Sequence, residues 1–393
     1  MRHALLGKVV RHQYHGFLDL AEALTAVRSK DMHFGDQREN VISLLDTWRR
    51  RDEIRELSQT LLSRADRHSS LEEVIGLLHF YKILRFFLED FSNNAPRTPW
   101  IQPAQWESEY LPLQLSLSEK RRFLRATCRL QILKNIFGDP AYLVGAWNTP
   151  DDRDKIEWRL RDQGEPWAVD EEAYRLFYGP MALWEHEEMG CVLRYFMTKF
   201  NAITEEIADN LRKLSKNTPC KYFWEILPKE QKLPQGCEIG VELDLDNFHQ
   251  YHKGLGGLGP EFLYRVLHMD PLSRRDTVCM NTRAYWSGPF IGLEIGLSQD
   301  IYFPCIDPAD RHEAPDFEQF WFTLSPLEQP TVGWKKAWLM PHSREDILED
   351  FLNPDRTETD WEWCYAIWDE KRLNEWKAPL LGGDCSGEAV PIR

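Results

Sequence analysis

The residues whose types and spacing could do chemistry lie in one stretch, Leu183-Trp184-Glu185-His186-Glu187-Glu188-Met189-Gly190-Cys191-Val192-Leu193-Arg194-Tyr195-Phe196. Laid on a helix, Trp184, Cys191, Val192, Tyr195 and Phe196 form a continuous apolar arc. Glu188 falls inside that arc and Glu185 sits beside it, and two carboxylates at this spacing are neighbours. On an apolar face a carboxylate must be neutralised, hydrogen-bonded or paired with a cation, because burying it bare is too costly. Two readings are open. Either an arginine from another helix pairs with Glu185 and Glu188, or the two acids and Trp184 line a pocket for a guanidinium or ammonium group, with His186 at its rim.

A second set of charges lies upstream. The helix that should begin at the serine cap of Ser116-Leu117-Ser118-Glu119 and run to Phe137 carries an inward stripe of Phe123, Ala126, Leu130, Leu133 and Phe137. Arg122, Arg125 and Arg129 share another face, with Arg121 beside them. In a chain of net charge −15 this is the densest basic surface. It is either a solvated or internally paired face, or a row of phosphate contacts.

The elements around these residues are helical. Apolar residues recur at three- and four-residue steps through Phe17–Val27, Asn40–Arg64 and residues 70–91, and the spacing predicts further helices over 117–137 and 183–200. Sustained alternation is scarce. Ile239, Val241, Leu243 and Leu245 alternate with Glu238, Glu242, Asp244 and Asp246, a pattern that fits a solvated acidic face better than a divalent-cation site. The glycines of residues 254–259 lack the preceding apolar strand of a dinucleotide loop, and instead turn the chain into a helix that starts near Pro260. Residues 148–170 are a charged, Trp-containing surface excursion. The C-terminal third holds Trp321, Trp334, Trp338, Trp361, Trp363, Trp368 and Trp376 amid Pro and Gly, and is expected to be irregular. These rings belong to a core, or line a cage for a cation. The expected fold is mainly α: one large helical domain over residues 1–381 with an irregular Trp-rich C-terminal part, a sub-division near 218–236, and a disordered tail at 382–393.

Composition narrows the class. A net charge of −15 argues against a protein that coats nucleic acid. The eight cysteines have no CxxC pair, so neither a zinc site nor a disulfide framework is indicated. Free thiols, no secretory leader and no long apolar run give the expectation of a cytoplasmic protein with no metal, no cofactor and no membrane contact.

Three blocks carry a family resemblance. Leu115-Ser116-Leu117-Ser118-Glu119-Lys120-Arg121-Arg122-Phe123-Leu124-Arg125-Ala126, Trp184-Glu185-His186-Glu187-Glu188-Met189-Gly190-Cys191 and Trp363-Cys364-Tyr365-Ala366-Ile367-Trp368-Asp369-Glu370-Lys371-Arg372-Leu373 resemble, in that order, three blocks of a broad family of hypothetical proteins from filamentous fungi. Cys364 stands where that family usually has glycine. The arginine-containing cyclodipeptide synthases are placed near this family. That likeness implies a transferase that takes arginyl-tRNA and a second aminoacyl-tRNA and makes a diketopiperazine. Under it, Glu185, Glu188 and Trp184 would bind the arginyl side chain, and His186 or Glu188 would act as base or proton shuttle. Arg121, Arg122, Arg125 and Arg129 would meet the tRNA. The alternative is a non-catalytic helical interaction protein in which Glu185 and Glu188 pair with internal arginines.

Overall fold

The computed structural model describes residues 20–49, 71–138, 174–178, 181–217, 255–281, 328–339 and 362–379, with single positions at 9, 10, 12, 14 and 324. The chain is mainly α, and no strand occurs among the described residues. The helices of six residues or more among the described residues are α1 (Leu20–Arg28), α2 (Phe34–Arg49), α3 (Leu71–Asn94), α4 (Leu117–Phe137), α5 (Leu183–Asn217), α6 (Gly259–Leu267), α7 (Pro271–Met280), α8 (Val332–Leu339) and α9 (Glu370–Glu375). The expected helices over 70–91, 117–137 and 183–200 correspond to α3, α4 and α5, with α5 running further, to Asn217. The surface excursion at 148–170, the sub-division at 218–236, the acidic alternation at 238–246 and the tail at 382–393 lie outside the described residues.

α4 is the axis of the packing. It starts as the sequence indicates. The Glu119 backbone N–H donates to Ser116 Oγ at 3.1 Å while the Ser116 N–H donates to Glu119 Oε2 at 2.9 Å. These reciprocal bonds satisfy two of the four amides that a helix start leaves open. At the other end Gly138 N–H closes on the Lys134 carbonyl at 3.0 Å. Between these ends α4 touches α1, α2, α3, α5 and α6. From Arg122 to Phe137 every residue except Arg125 is buried. The expected stripe of Phe123, Ala126, Leu130, Leu133 and Phe137 is indeed inside, but so is the opposite face. A helix covered on all sides usually carries few polar groups. Here Arg122, Arg129, Gln131, Lys134 and Asn135 are buried as well, so partners for them must come from the surrounding helices.

The described Trp side chains of the C-terminal part, Trp334, Trp363, Trp368 and Trp376, are core, and Trp321, Trp361 and the Trp338 side chain lie outside the described residues. The Phe91 ring stacks on Phe123 (4.4 Å between centroids) and on Trp368 (5.4 Å), joining α3, α4 and the C-terminal block. Trp363, Trp368 and Trp376 are buried, and Trp100 meets Trp363 edge to face. Residues 362–367 run as turns before α9, in keeping with the irregularity expected there. The glycine-rich segment ends at Gly259, whose φ of +82° suits glycine, and a Cβ there would press on Gln131 Oε1 at 3.2 Å.

Candidate functional site: a buried carboxylate–arginine network

The local sequence of α5 places its acids at the helix start. Glu185 Oε2 accepts the backbone N–H of Ala182 at 3.3 Å, the back-reaching bond of a third-position glutamate. One turn on, Glu188 faces α4 beside Glu185, as the spacing requires. The space between the two acids is filled by Arg125 of α4. Arg125 Nε donates to Glu188 Oε2 at 3.0 Å and Nη2 to Glu188 Oε1 at 2.6 Å, a fork-to-fork pair, while Nη1 lies 3.0 Å from Glu185 Oε1. Four residues on, Arg129 reaches Glu185 Oε2 at 3.0 Å with Nη1 and Glu22 of α1 at 2.9 Å with Nη2. Trp48 of α2 completes this end, its indole N–H donating to Glu22 Oε2 at 3.0 Å and its ring lying 5.5 Å from the Arg129 guanidinium.

The exposures decide what this arrangement is. The Arg129 side chain is 0% exposed, those of Glu22 and Glu185 5% and that of Glu188 2%. Burial works against the charge on Arg125 and Arg129, but the carboxylates of Glu188, Glu185 and Glu22 outweigh it and hold both guanidiniums above their ordinary range. Three carboxylates share two guanidiniums here. Burial pushes the Glu188 carboxyl up against the opposing pull of Arg125.

The expectation of an open cationic pocket therefore does not survive for Glu185 and Glu188, because the chain's own arginines occupy it. The expectation of a phosphate-contacting face fails for three of its four residues on the same ground. Arg122 is buried and donates to the Ile367 carbonyl at 3.0 Å and to Asp369 Oδ1 at 2.8 Å, and Arg125 and Arg129 are spent on the acids just described. Arg121 is partly exposed, and its buried Nε meets no acceptor among the described residues.

His186 is turned away from the acids. Its Nε2 lies 3.0 Å from the Tyr178 carbonyl, its ring tilts on that of Tyr178, and burial pulls its pKa down to about 4. At neutral pH it is an uncharged imidazole donating to a backbone oxygen, with no water front for proton exchange. Trp184 is fixed likewise, its indole N–H on the Glu328 carbonyl at 3.0 Å and its ring edge-on to Trp334. A surface cleft of about 370 Å³ lies elsewhere, along Glu39, Ile42, Ser43, Asp46 and Thr47 of α2. Among the described residues no group of His, Cys, Asp and Glu is placed to hold a metal ion, and no helix is long and apolar enough to cross a membrane.

The same pattern repeats at the C-terminal block, with residues that periodicity alone does not single out. Arg372 clamps Glu119 with Nε and Nη2, both at 2.6 Å, and its guanidinium lies 5.8 Å from the Trp368 ring and 5.5 Å from that of Trp376. An aromatic cage for a guanidinium thus exists, and its occupant is internal. Asp369 accepts from Ser116 Oγ, from Ser118 Oγ at 2.6 Å and from Arg122. Burial opposes its charge, yet these donors hold its carboxyl below the usual range. Tyr365 donates its phenol proton to buried Glu187 at 2.8 Å. One signal in the sequence marks Asp369, its place as a capping residue type just before α9, and another marks Glu22, its place among the alanines of α1.

Comparison with protein-family models, with curated proteins and with solved structures yields no match.

Proposed function

We propose that this chain is a helical interaction protein that works without catalysis at Glu188 or His186. The observation that supports this is that ionisable residues from all three blocks are consumed by one another. Arg122 is held by Asp369, Arg125 by Glu188 and Glu185, Glu119 by Arg372, and Glu187 by Tyr365. A base or an arginine-binding acid needs an open face toward substrate, and Glu185, His186 and Glu188 are buried. The partner is a protein rather than a tRNA, since a net charge of −15 and inward-turned arginines leave little to attract phosphate. The reduced thiols of Cys128, Cys191, Cys279 and Cys364 fit a cytoplasmic setting.

The order and extent of the three blocks favour a second function, arginine-containing cyclodipeptide synthesis. In that case arginyl-tRNA and a second aminoacyl-tRNA are substrates. The amine of one aminoacyl group attacks the ester of the other and releases one tRNA, and ring closure releases the second. The network would then be the frame of the enzyme, with the reacting groups elsewhere in the chain. One experiment separates the two: produce the protein in a host that supplies aminoacyl-tRNAs, then analyse the medium by mass spectrometry and the purified protein for bound RNA. An interaction protein yields neither product nor RNA. An arginine-containing diketopiperazine that depends on the intact protein overturns the first proposal and supports the second.

A further inference from the structure

Cys364 sits in a backbone conformation that suits glycine, with φ at +58°. A side chain there costs on the order of 1 kcal/mol or more relative to glycine. The thiol held in this position is not idle space-filling. Its Sγ–H donates to the carbonyl of Cys191 on α5 at 3.5 Å. Burial, with the nearby Cys364 thiol, pushes the Cys191 thiol up. Two thiol-bearing residues 173 positions apart thus meet where residues 364–366 pack on α5. Both residues are fully buried, so peroxide reaches them as the fold opens locally.

We propose that Cys191 and Cys364 form a dithiol–disulfide lock, closed by hydrogen peroxide, which cross-links the C-terminal block to α5. The chemistry balances with peroxide as the two-electron oxidant. The first thiol, as its thiolate, attacks one peroxide oxygen, the O–O bond breaks, water leaves and a sulfenic acid remains. The facing thiol displaces that oxygen as a second water and forms the S–S bond. Two thiols and one peroxide become one disulfide and two waters. This packing supplies proximity, because Cys364 Sγ already lies 3.5 Å from the Cys191 carbonyl oxygen. Burial pushes the Cys191 thiol up, so closure is slow and requires sustained peroxide rather than a brief pulse.

The test uses the whole folded protein. Wild type, Cys364→Gly and Cys191→Ala are incubated with hydrogen peroxide, denatured with an alkylating reagent and mapped by non-reducing peptide mass spectrometry. Cys364→Gly places the residue that the backbone prefers, so loss of folding is not the expected outcome. Wild type should yield a linked peptide pair containing Cys191 and Cys364, two hydrogens lighter than the separate peptides. Its melting temperature should rise by on the order of 5 °C, a gain reversed by dithiothreitol and missing from both variants. Recovery of Cys191 and Cys364 as alkylated thiols, as separate oxygen adducts, or linked to other cysteines overturns the lock.

Discussion

Arg125 of α4 grips both oxygens of Glu188 on α5, with contacts of 2.6 and 3.0 Å, inside a core that leaves the glutamate 2% exposed. A guanidinium and a carboxylate taken out of water together are tolerated because each is the other's solvent. Either one alone is a liability.

That asymmetry gives the first test. Arg125→Met is expected to cost about 3–5 kcal/mol of unfolding free energy, since it leaves the buried carboxylate of Glu188 without its cation. The double variant Arg125→Met with Glu188→Leu should recover most of that loss. Urea denaturation of wild type, Arg125→Met, Glu188→Leu and the double variant closes the cycle. A double variant as unstable as the two single losses added together would show that the pair is not acting as a unit.

His186 should make the protein acid-sensitive above the carboxylate range. Its folded pKa of about 4 lies below the ordinary imidazole value, so the folded form resists protonation. The associated stability is fully present above about pH 6.5 and is lost as pH falls towards 4, up to roughly 3 kcal/mol. His186→Gln, which keeps a donor for the Tyr178 carbonyl, should flatten that limb of the profile. An unchanged slope between pH 6.5 and 4 would assign the sensitivity to other groups.

The arginines of α4 should behave in opposite ways although they are neighbours in sequence. Arg121→Glu, at a partly exposed position, is expected to shift stability by no more than about 0.5 kcal/mol. Arg122→Glu sets a second carboxylate against Asp369 and should cost more than about 3 kcal/mol. Equal melting temperatures for the two variants would mean that Arg122 is not held inside.

Arg372 is expected to fasten the C-terminal block. Arg372→Ala removes both clamping contacts to Glu119 and the guanidinium beside Trp368 and Trp376. Limited proteolysis within residues 362–379 should accelerate about tenfold or more. Arg372→Lys should restore only part of the protection, because an ammonium cannot span both oxygens. Cleavage at the wild-type rate in Arg372→Ala would mean that the clasp does not hold the block.

Much of the fold was legible in the sequence because a helix declares itself locally. Ser116 and Glu119 specify a start within four residues, and the apolar spacing through α3, α4 and α5 specifies the body of each helix. The carboxylate pair was legible in the same way, since Glu185 and Glu188 must share a face wherever that helix is placed. The cations that the two acids bind were not legible. Periodicity says which side chains of α4 lie together, but not that helices cover both of its sides. Arg122, Arg125 and Arg129 therefore read equally well as a solvated row and as a buried one. The partners that decide it, Glu22 and Asp369, lie 107 and 247 residues away from the arginines they hold. No local rule connects them.

The clasp between Glu119 and Arg372 also sets a clock on synthesis. The acid leaves the ribosome 253 residues before its base, an interval of roughly 10–50 s at about 5–20 residues per second. Throughout that interval Glu119 and Arg122, at the start of α4, wait for the partners that the C-terminal block supplies, while Glu22, Glu185 and Glu188 reach Arg125 and Arg129 earlier. A nascent chain halted before Arg372 emerges leaves the Glu119 carboxylate without its clamp.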